Sequence, residues 1–142
     1  MEVIRYETPS GIAEGTAVIG AKGFVFLSGV VGRDPQTGEV PPTIEGQLRI
    51  AWNVIMDRLD RVGSSVECLC HNLTCMVGQF PNGIYNEIEP GYANLADLMV
   101  EIWQERYGPK ITMKHITGTL LGVTALALPE FLVEVYVVAY IP

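Results

Sequence analysis

Two groups of residues in this chain are of types that do chemistry. Cys68, Cys70, His71 and Cys75 crowd into one short segment, and thiols beside an imidazole invite a metal ion. The spacing resists that reading. If residues 68–77 form a strand, alternation places Cys68 and Cys70 on one face and His71 and Cys75 on the other. No CxxC pair and no second pair of ligands completes a zinc site, so no metal is expected. The cysteines read as small buried thiols of a reduced compartment, and His71 as a packed or surface side chain.

The second group centres on Glu134, a carboxylate set in the apolar run Phe131 to Ile141. Burying a carboxylate is expensive unless it is paired or used. Burial of a carboxyl group favours its neutral form, which suits a general acid/base. The residues alone leave two alternatives open: an acid/base group, or a carboxylate at a rim or in an ion pair with a neighbouring subunit. Lys114 and His115 are the nearest cations in sequence. Adjacent on a strand, they cannot both point into one pocket. His115 has the pKa suited to proton transfer, and a solvent-facing role fits each of them equally.

The elements that must position these groups follow from periodicity. Val3–Tyr6, Thr16–Gly20 and Phe24–Ser28 read as strands, with Ala21-Lys22-Gly23 as a hairpin connection between the last two. Asp34-Pro35-Gln36-Thr37-Gly38-Glu39 is a dense turn signal. A helix is announced by Pro41-Pro42 and a Thr43 cap, with Glu45 in its first turn. Its buried face is Ile44, Leu48, Ala51, Ile55, Leu59 and Val62, and Gly63 closes it. After the Cys-rich strand and a polar loop, Gln79 to Pro90, a second helix runs from about Gly91 to Tyr107. Leu95, Leu98, Met99 and Ile102 form its stripe, and Gly108-Pro109 stops it. Ile111–Ile116, carrying Lys114 and His115, reads as a strand, followed by a Gly- and Thr-rich stretch and the final strand Phe131–Ile141.

Two helices with one apolar face each need a sheet to cover, which predicts a single-domain, two-layer α+β sandwich over residues 1–142. The final strand is apolar on both sides, with Phe131, Val133, Val135, Val137, Ala139 and Ile141 alternating with Leu132, Glu134, Tyr136, Val138 and Tyr140. Helices suffice for only one sheet face, so subunits are expected to cover the other.

Composition limits the partners. The 142 residues carry 9 Lys and Arg against 16 Asp and Glu, a net charge of −7. Without a basic cluster, nucleic acid and anionic membranes are disfavoured. Mean hydropathy is high at +0.28, yet no apolar run approaches the roughly 20 residues of a spanning helix. Met1-Glu2-Val3-Ile4-Arg5 has no basic segment leading into an apolar one, so no signal peptide and a cytoplasmic homo-oligomer are expected.

Three segments together carry a resemblance. They are Phe24-Val25-Phe26-Leu27-Ser28-Gly29 with Asp34 to Glu39; the helix ending Leu59-Asp60-Arg61-Val62-Gly63; and Leu121-Gly122-Val123-Thr124-Ala125-Leu126 leading through Leu128-Pro129 to Val133-Glu134-Val135. Their order and spacing resemble the RidA/YjgF family of small trimeric enamine/imine deaminases over nearly the whole chain. The resemblance implies a chorismate-mutase-like fold, a mixed sheet with two helices on one face, and a homotrimer with a central β-barrel. It also implies sites in clefts between subunits; the hydrolysis of an imine needs no cofactor, and the sequence carries neither a phosphate-cradling GxGxxG nor a zinc pattern, so none is expected. It further implies that an Arg holds the substrate carboxylate and that a Glu on the last strand positions water.

The Glu matches at Glu134. The Arg does not: its place, counted from Leu121-Gly122-Val123, is Gly118, and glycine offers no bidentate cationic clamp. Glu14 stands where the family usually has Tyr, Ala96 where Asn is common, and Val30 where Gln is frequent. The catalytic set expected from the resemblance and the residues is Glu134 and His115. The substrate-binding set is Gly118, Thr119, Leu120, Ser28, Gly29, Glu14 and Tyr92. Phe80, Ile84 and Tyr85 of the long loop either cap the cleft or pack on the surface.

Two functions compete at this level. One is a divergent deaminase or hydrolase of a small enamine, imine or related metabolite, with Glu134 directing water or a proton. The other is a trimeric small-ligand-binding module without catalysis. A ribonuclease-like role, an older description of the family, is disfavoured by the charge.

Overall fold

The computed structural model describes residues 1–84 and 94–142. The element order is β1 (Glu2–Glu7), β2 (Ala13–Ile19), β3 (Gly23–Val31), α1 (Ile44–Asp60), β4 (Leu69–Val77), α2 (Leu95–Tyr107), β5 (Gly118–Val123) and β6 (Val133–Ile141), with 3-10 turns at Val66–Cys68 and Met113–His115. A four-stranded sheet of order β3-β6-β4-β5 forms the centre. Strand β6 is antiparallel to both β3 and β4, while β5 is parallel to β4 and reached through α2. The expected two-layer α+β sandwich is present.

Helix α1 begins as its sequence dictates. The Thr43 hydroxyl accepts from the Gly46 N–H at 3.1 Å, satisfying one of the unpaired donors of the first turn. Leu48, Ala51, Ile55 and Leu59 are all fully buried. Val62 is not: it lies beyond the helix end and is 44% exposed, because the last turn closes at Asp60 and the chain swings away at Gly63 (φ 73°). Helix α2 is capped by Asn94, whose side chain accepts from Asp97 N–H, and ends at Gly108 with φ 81°. Residues 91–93 of the expected helix start lie outside the described residues. Trp52 and Trp103 meet edge to face at 4.8 Å in the core between the helices, a favoured aromatic geometry. Arg49 of α1 ties the helices together through Glu101 and Glu105 of α2, and pairs with Glu45 one turn back on its own helix.

Three expectations about the strands are corrected. Ala21-Lys22-Gly23 is not a hairpin connection. β2 pairs with β1 in a separate two-stranded sheet, while β3 pairs with β6 from Gly23 opposite Ile141; Gly20, at φ 77°, turns the chain from one sheet to the other. The hairpin is instead β1–β2, closed around Thr8 and Gly11. Ile111–Ile116 is not a strand. Its centre winds into a 3-10 turn because His115 folds back onto Thr112, and the strand is the Gly- and Thr-rich stretch that follows. Finally, the strand in the Cys-rich segment starts at Leu69 and is irregular before His71, with Cys68 in a 3-10 turn. The Asp34–Glu39 turn forms as expected, its Asp34 carboxylate accepting from the N–H groups of Gln36 and Thr37 at 2.7 and 3.0 Å. Those two bonds hold the carboxyl below its ordinary range.

One buried side chain fixes the start of β6. Gln47 is fully buried on α1; its Nε2 donates to the carbonyls of Pro41 and Glu130 at 2.8 and 2.9 Å, and its Oε1 accepts from Leu132 N–H at 2.8 Å. Gly32 permits this contact, since a Cβ there would lie 2.4 Å from the Gln47 Cα.

Among the described residues, helices cover one sheet face only. By register, the other face presents Phe24, Phe26, His71, Leu73, Cys75, Leu121, Glu134, Tyr136 and Val138. Phe26 is 75% exposed and Leu121 46%. The expectation of an apolar second face is met. Among the described residues no helix is long and apolar enough to cross a membrane.

Candidate functional site

Strand pairing decides which candidate residues can meet. On β4, Cys75 stands opposite Glu134 and Asn72 opposite Val137. Side chains alternate along a strand, so Cys75 and Glu134 share the open face while Asn72 and Thr74 point to the helices. Gly118 and Leu120 of β5 pair with Asn72 and Thr74 and belong to the helix side. Within one chain, Glu134 and the Gly118 position therefore face opposite sides of the sheet.

Glu134 is half-buried on β6. Its Oε1 accepts a 2.9 Å hydrogen bond from the Tyr136 hydroxyl; its Oε2 has no hydrogen-bond partner among the described residues. The carboxylate lies against Gly29, where a Cβ would come within 1.6 Å of Oε1. Ser28 and Gly29 form an irregularity in the β3–β6 ladder, between the pairs Leu27–Val137 and Val30–Val135. This is the geometry of a bulge, which opens space in a ladder. The structure thus joins Ser28 and Gly29 with Glu134 and Tyr136. Cys75 completes the group, its thiol pushed up by burial and then by the Glu134 charge, so it remains protonated. Beside Tyr136, a shallow groove is walled by Phe26, Ser28, His71 and Val138. His71, expected as a packed or surface side chain, and Tyr136, expected on the Glu134 side of the strand, were not among the expected site residues; the i, i+2 spacing of Glu134 and Tyr136 is the signal that joins them to it.

On the helix side, Gly118, Thr119 and Leu120 line a cleft of about 180 Å³ with Ile12, Asn72, Thr74, Leu95, Ala96, Met99 and Ile116. Three expected substrate-binding residues converge here. Glu14 lies near the same place, one residue beyond the Ala13–Thr117 bridge, with its side chain exposed. Gly118 is required by packing: a Cβ would sit 2.2 Å from the Asn72 carbonyl oxygen and 2.8 Å from the Asn72 side chain. Asn72 in turn donates to the Thr117 carbonyl at 3.0 Å and accepts from Thr74 at 3.4 Å.

His115 does not join Glu134 within the chain. It lines a groove with Val3, Arg5, Glu7, Glu67, Lys114 and Tyr140. Tyr140 is six residues along β6 from Glu134, about 20 Å at the usual rise. The His115 Nδ1 accepts from Thr112 N–H at 3.1 Å, and burial pushes its pKa down. Lys114 lines the same groove from the 3-10 turn, so the strand argument separating the two does not apply. Arg5 crosses from β1 to donate to the carbonyls of Glu67 and Leu69.

Phe80 and Ile84 lie over Gly122 and Val123 at the end of β5, away from the Gly118 cleft. Tyr92 and Tyr85 lie outside the described residues. Cys68, Cys70 and Cys75 are free thiols. Among the described residues, no three His, Cys, Asp or Glu side chains gather as a metal site would require.

By sequence, the chain matches no family model and no curated protein. By structure it is similar to several solved proteins. A protein of unknown function of the conserved Rid family, YyfB from Yersinia pestis, superposes with TM-score 0.73 at 20% identity, over 99% of this chain and 100% of that one. E. coli TdcF with bound serine gives 0.61 at 17% identity, over 96% and 92%. A putative endoribonuclease L-PSP from Entamoeba histolytica gives 0.59 at 20% identity, over 95% and 91%. These likenesses cover nearly the whole of each chain, and on them the chain has the fold of the Rid/YjgF proteins.

Proposed function

We propose that this chain is a divergent RidA/YjgF family member that hydrolyses a small enamine, imine or related compound without a cofactor, as a cytoplasmic homotrimer. The observation that carries the reading is Glu134. A carboxylate held at Oε1 by Tyr136, with Oε2 unengaged, is disposed to take a proton from water. Water adds to the C=N carbon as Glu134 takes its proton and passes it to the nitrogen; the carbinolamine then transfers its hydroxyl proton to the nitrogen by the same carboxylate, the C–N bond breaks, and ammonia or an amine leaves as the carbonyl forms. An enamine must first be protonated at carbon to give the imine.

The trimer is supported by the apolar open face, where Phe24, Phe26, Leu121 and Tyr136 are exposed together. Since Glu134 and the Gly118 cleft face opposite sides of one sheet, a shared site requires one subunit's Glu134 to approach a neighbour's cleft. The ligand is a small molecule, not nucleic acid, given the acidic balance.

The test is Glu134→Gln assayed with a neutral aldimine generated in situ from a primary amine by an amine oxidase, ammonia release being the readout. Turnover should fall at least a hundredfold with oligomeric mass unchanged in sedimentation; unchanged turnover overturns the reading. A second reading, a trimeric binding module without catalysis, is favoured by the uncharged Gly118 cleft. It predicts ligand binding in wild type with no ammonia release.

A further inference from the structure

The Gly118 cleft has a polar floor and apolar walls. Asn72 and Thr74 are 3% and 2% exposed, and they reach the cleft from β4. Ile12, Leu95, Ala96, Met99, Ile116 and Leu120 supply its walls, and none of its lining residues among those described carries a charge. The floor is only partly satisfied. The Asn72 amide spends one N–H on the Thr117 carbonyl at 3.0 Å, and its Oδ1 receives a long 3.4 Å contact from Thr74. A primary amide has two N–H donors and two acceptor lone pairs, so one donor and one acceptor of Asn72 have no protein partner among the described residues.

Gly118 and Asn72 are linked. The Asn72 carbonyl and amide fill the space that any side chain at 118 would need, so a cationic anchor cannot be grafted there. A carboxylate entering this cleft would lose its hydration and meet no cation, a cost of several kcal/mol. An uncharged group with one acceptor and one donor meets neither penalty.

We propose that this cleft selects a small uncharged ligand, an imine, enamine or carbonyl compound without a carboxylate, by hydrogen bonds to the Asn72 amide and Thr74 hydroxyl, its apolar part lying between Leu95, Met99 and Leu120. The ligand's being an imine rests on the hydrolase reading above; the site and its preference for neutral ligands do not. Asn72 here is a specificity-determining residue. It recognises the ligand and, by excluding a side chain at 118, excludes the charged alternative.

The probes are isobutyramide and isobutyrate, one shape with and without the charge, titrated into the full chain and followed by methyl NMR at pH 7. Isobutyramide should shift the methyls of Ile12, Met99 and Ile116 and bind at least tenfold more tightly than isobutyrate. Thr74→Val should weaken isobutyramide several-fold, and Asn72→Leu at least tenfold if that variant folds. Leu120→Lys, which brings an ammonium to the wall, should invert the preference. Equal or tighter binding of isobutyrate by wild type, shifts confined to methyls outside the cleft, or no binding of either probe overturns the proposal. The two readings have separate readouts: ammonia release by Glu134→Gln tests the hydrolase, and the isobutyramide-over-isobutyrate preference of the wild-type chain tests the cleft. Turnover that survives Glu134→Gln sinks the hydrolase and leaves the neutral-ligand cleft standing; tight isobutyrate binding does the reverse.

Discussion

The Tyr136 hydroxyl donates to Glu134 Oε1 across 2.9 Å, from two residues further along the same face of β6. The bond holds the phenol in its protonated form. Its pKa is raised above 10.0 by the hydrogen bond to Glu134 first, then by burial and the Glu134 charge. Glu134→Gln should therefore move one tyrosine titration back toward the ordinary value, seen as increased tyrosinate absorbance between pH 10 and 11. Tyr136→Phe identifies which phenol moved. Identical curves for wild type and Glu134→Gln would show that the pair is not formed in solution.

Gly29 and Gly118 both forbid a side chain, for different physical reasons. At Gly29 the obstacle is the end of the flexible Glu134 side chain; at Gly118 it is the Asn72 backbone carbonyl. Gly29→Ala should fold with a stability loss under about 1.5 kcal/mol and lose activity, because the carboxylate must swing away. Gly118→Ala should cost about 1–3 kcal/mol, the usual range for overpacking, since β4 and β5 must separate. Urea denaturation of both variants reads the contrast, and equal losses would refute it.

Stability should also respond to His115. Burial lowers its pKa from the ordinary 6.5, so the folded state prefers the neutral ring while the unfolded chain binds the proton more readily. The contribution is fully present above pH 6.5 and is lost as pH falls through the depressed folded value. Protonation would also remove the acceptor that Thr112 N–H uses. His115→Gln should flatten the fall in stability between pH 6.5 and 4.5, measured by thermal melts across that range. A slope equal to that of wild type would assign the acid sensitivity elsewhere.

Gln47 ties three backbone groups at the entry to β6. Gln47→Leu keeps the volume and leaves buried carbonyls and an N–H unpaired, at about 1–3 kcal/mol for each group that stays dry. A loss of about 2–4 kcal/mol in urea denaturation is expected, together with reduced turnover because Leu132 is two residues from Glu134. A loss under 1 kcal/mol would mean that water replaces the amide.

Local features of the chain were legible and long-range pairings were not. The Thr43 cap, the Leu48–Leu59 stripe and the Gly108 stop are written within a turn or two, so both helices could be read. So could the two-sided apolar alternation of β6. Strand β5 was missed because Gly118–Val123 owes its conformation to parallel pairing with β4, a partner more than forty residues away. Ala21-Lys22-Gly23 misled for the same reason: β3 chooses β6 over its neighbour in sequence. Glu134 was legible as a carboxylate out of place. Gly118 was legible only as a missing Arg, because the oxygen that excludes a side chain belongs to Asn72 on another strand.

The hairpin β1–β2 pairs its ladder within itself and joins the rest of the molecule through the Arg5 guanidinium, the Ala13–Thr117 bridge and the packing of β2 on β4. As a two-stranded sheet outside the central one, it is expected to open at a lower free energy than the four-stranded sheet. Ile12, a wall of the Gly118 cleft, travels with it. Amide protons of Ala13–Ile19 should exchange with solvent well before those of Val133–Ile141. One wall of the Gly118 cleft therefore belongs to the two-stranded sheet and its turn, while the floor belongs to the four-stranded sheet, so the cleft is built across the seam between the two.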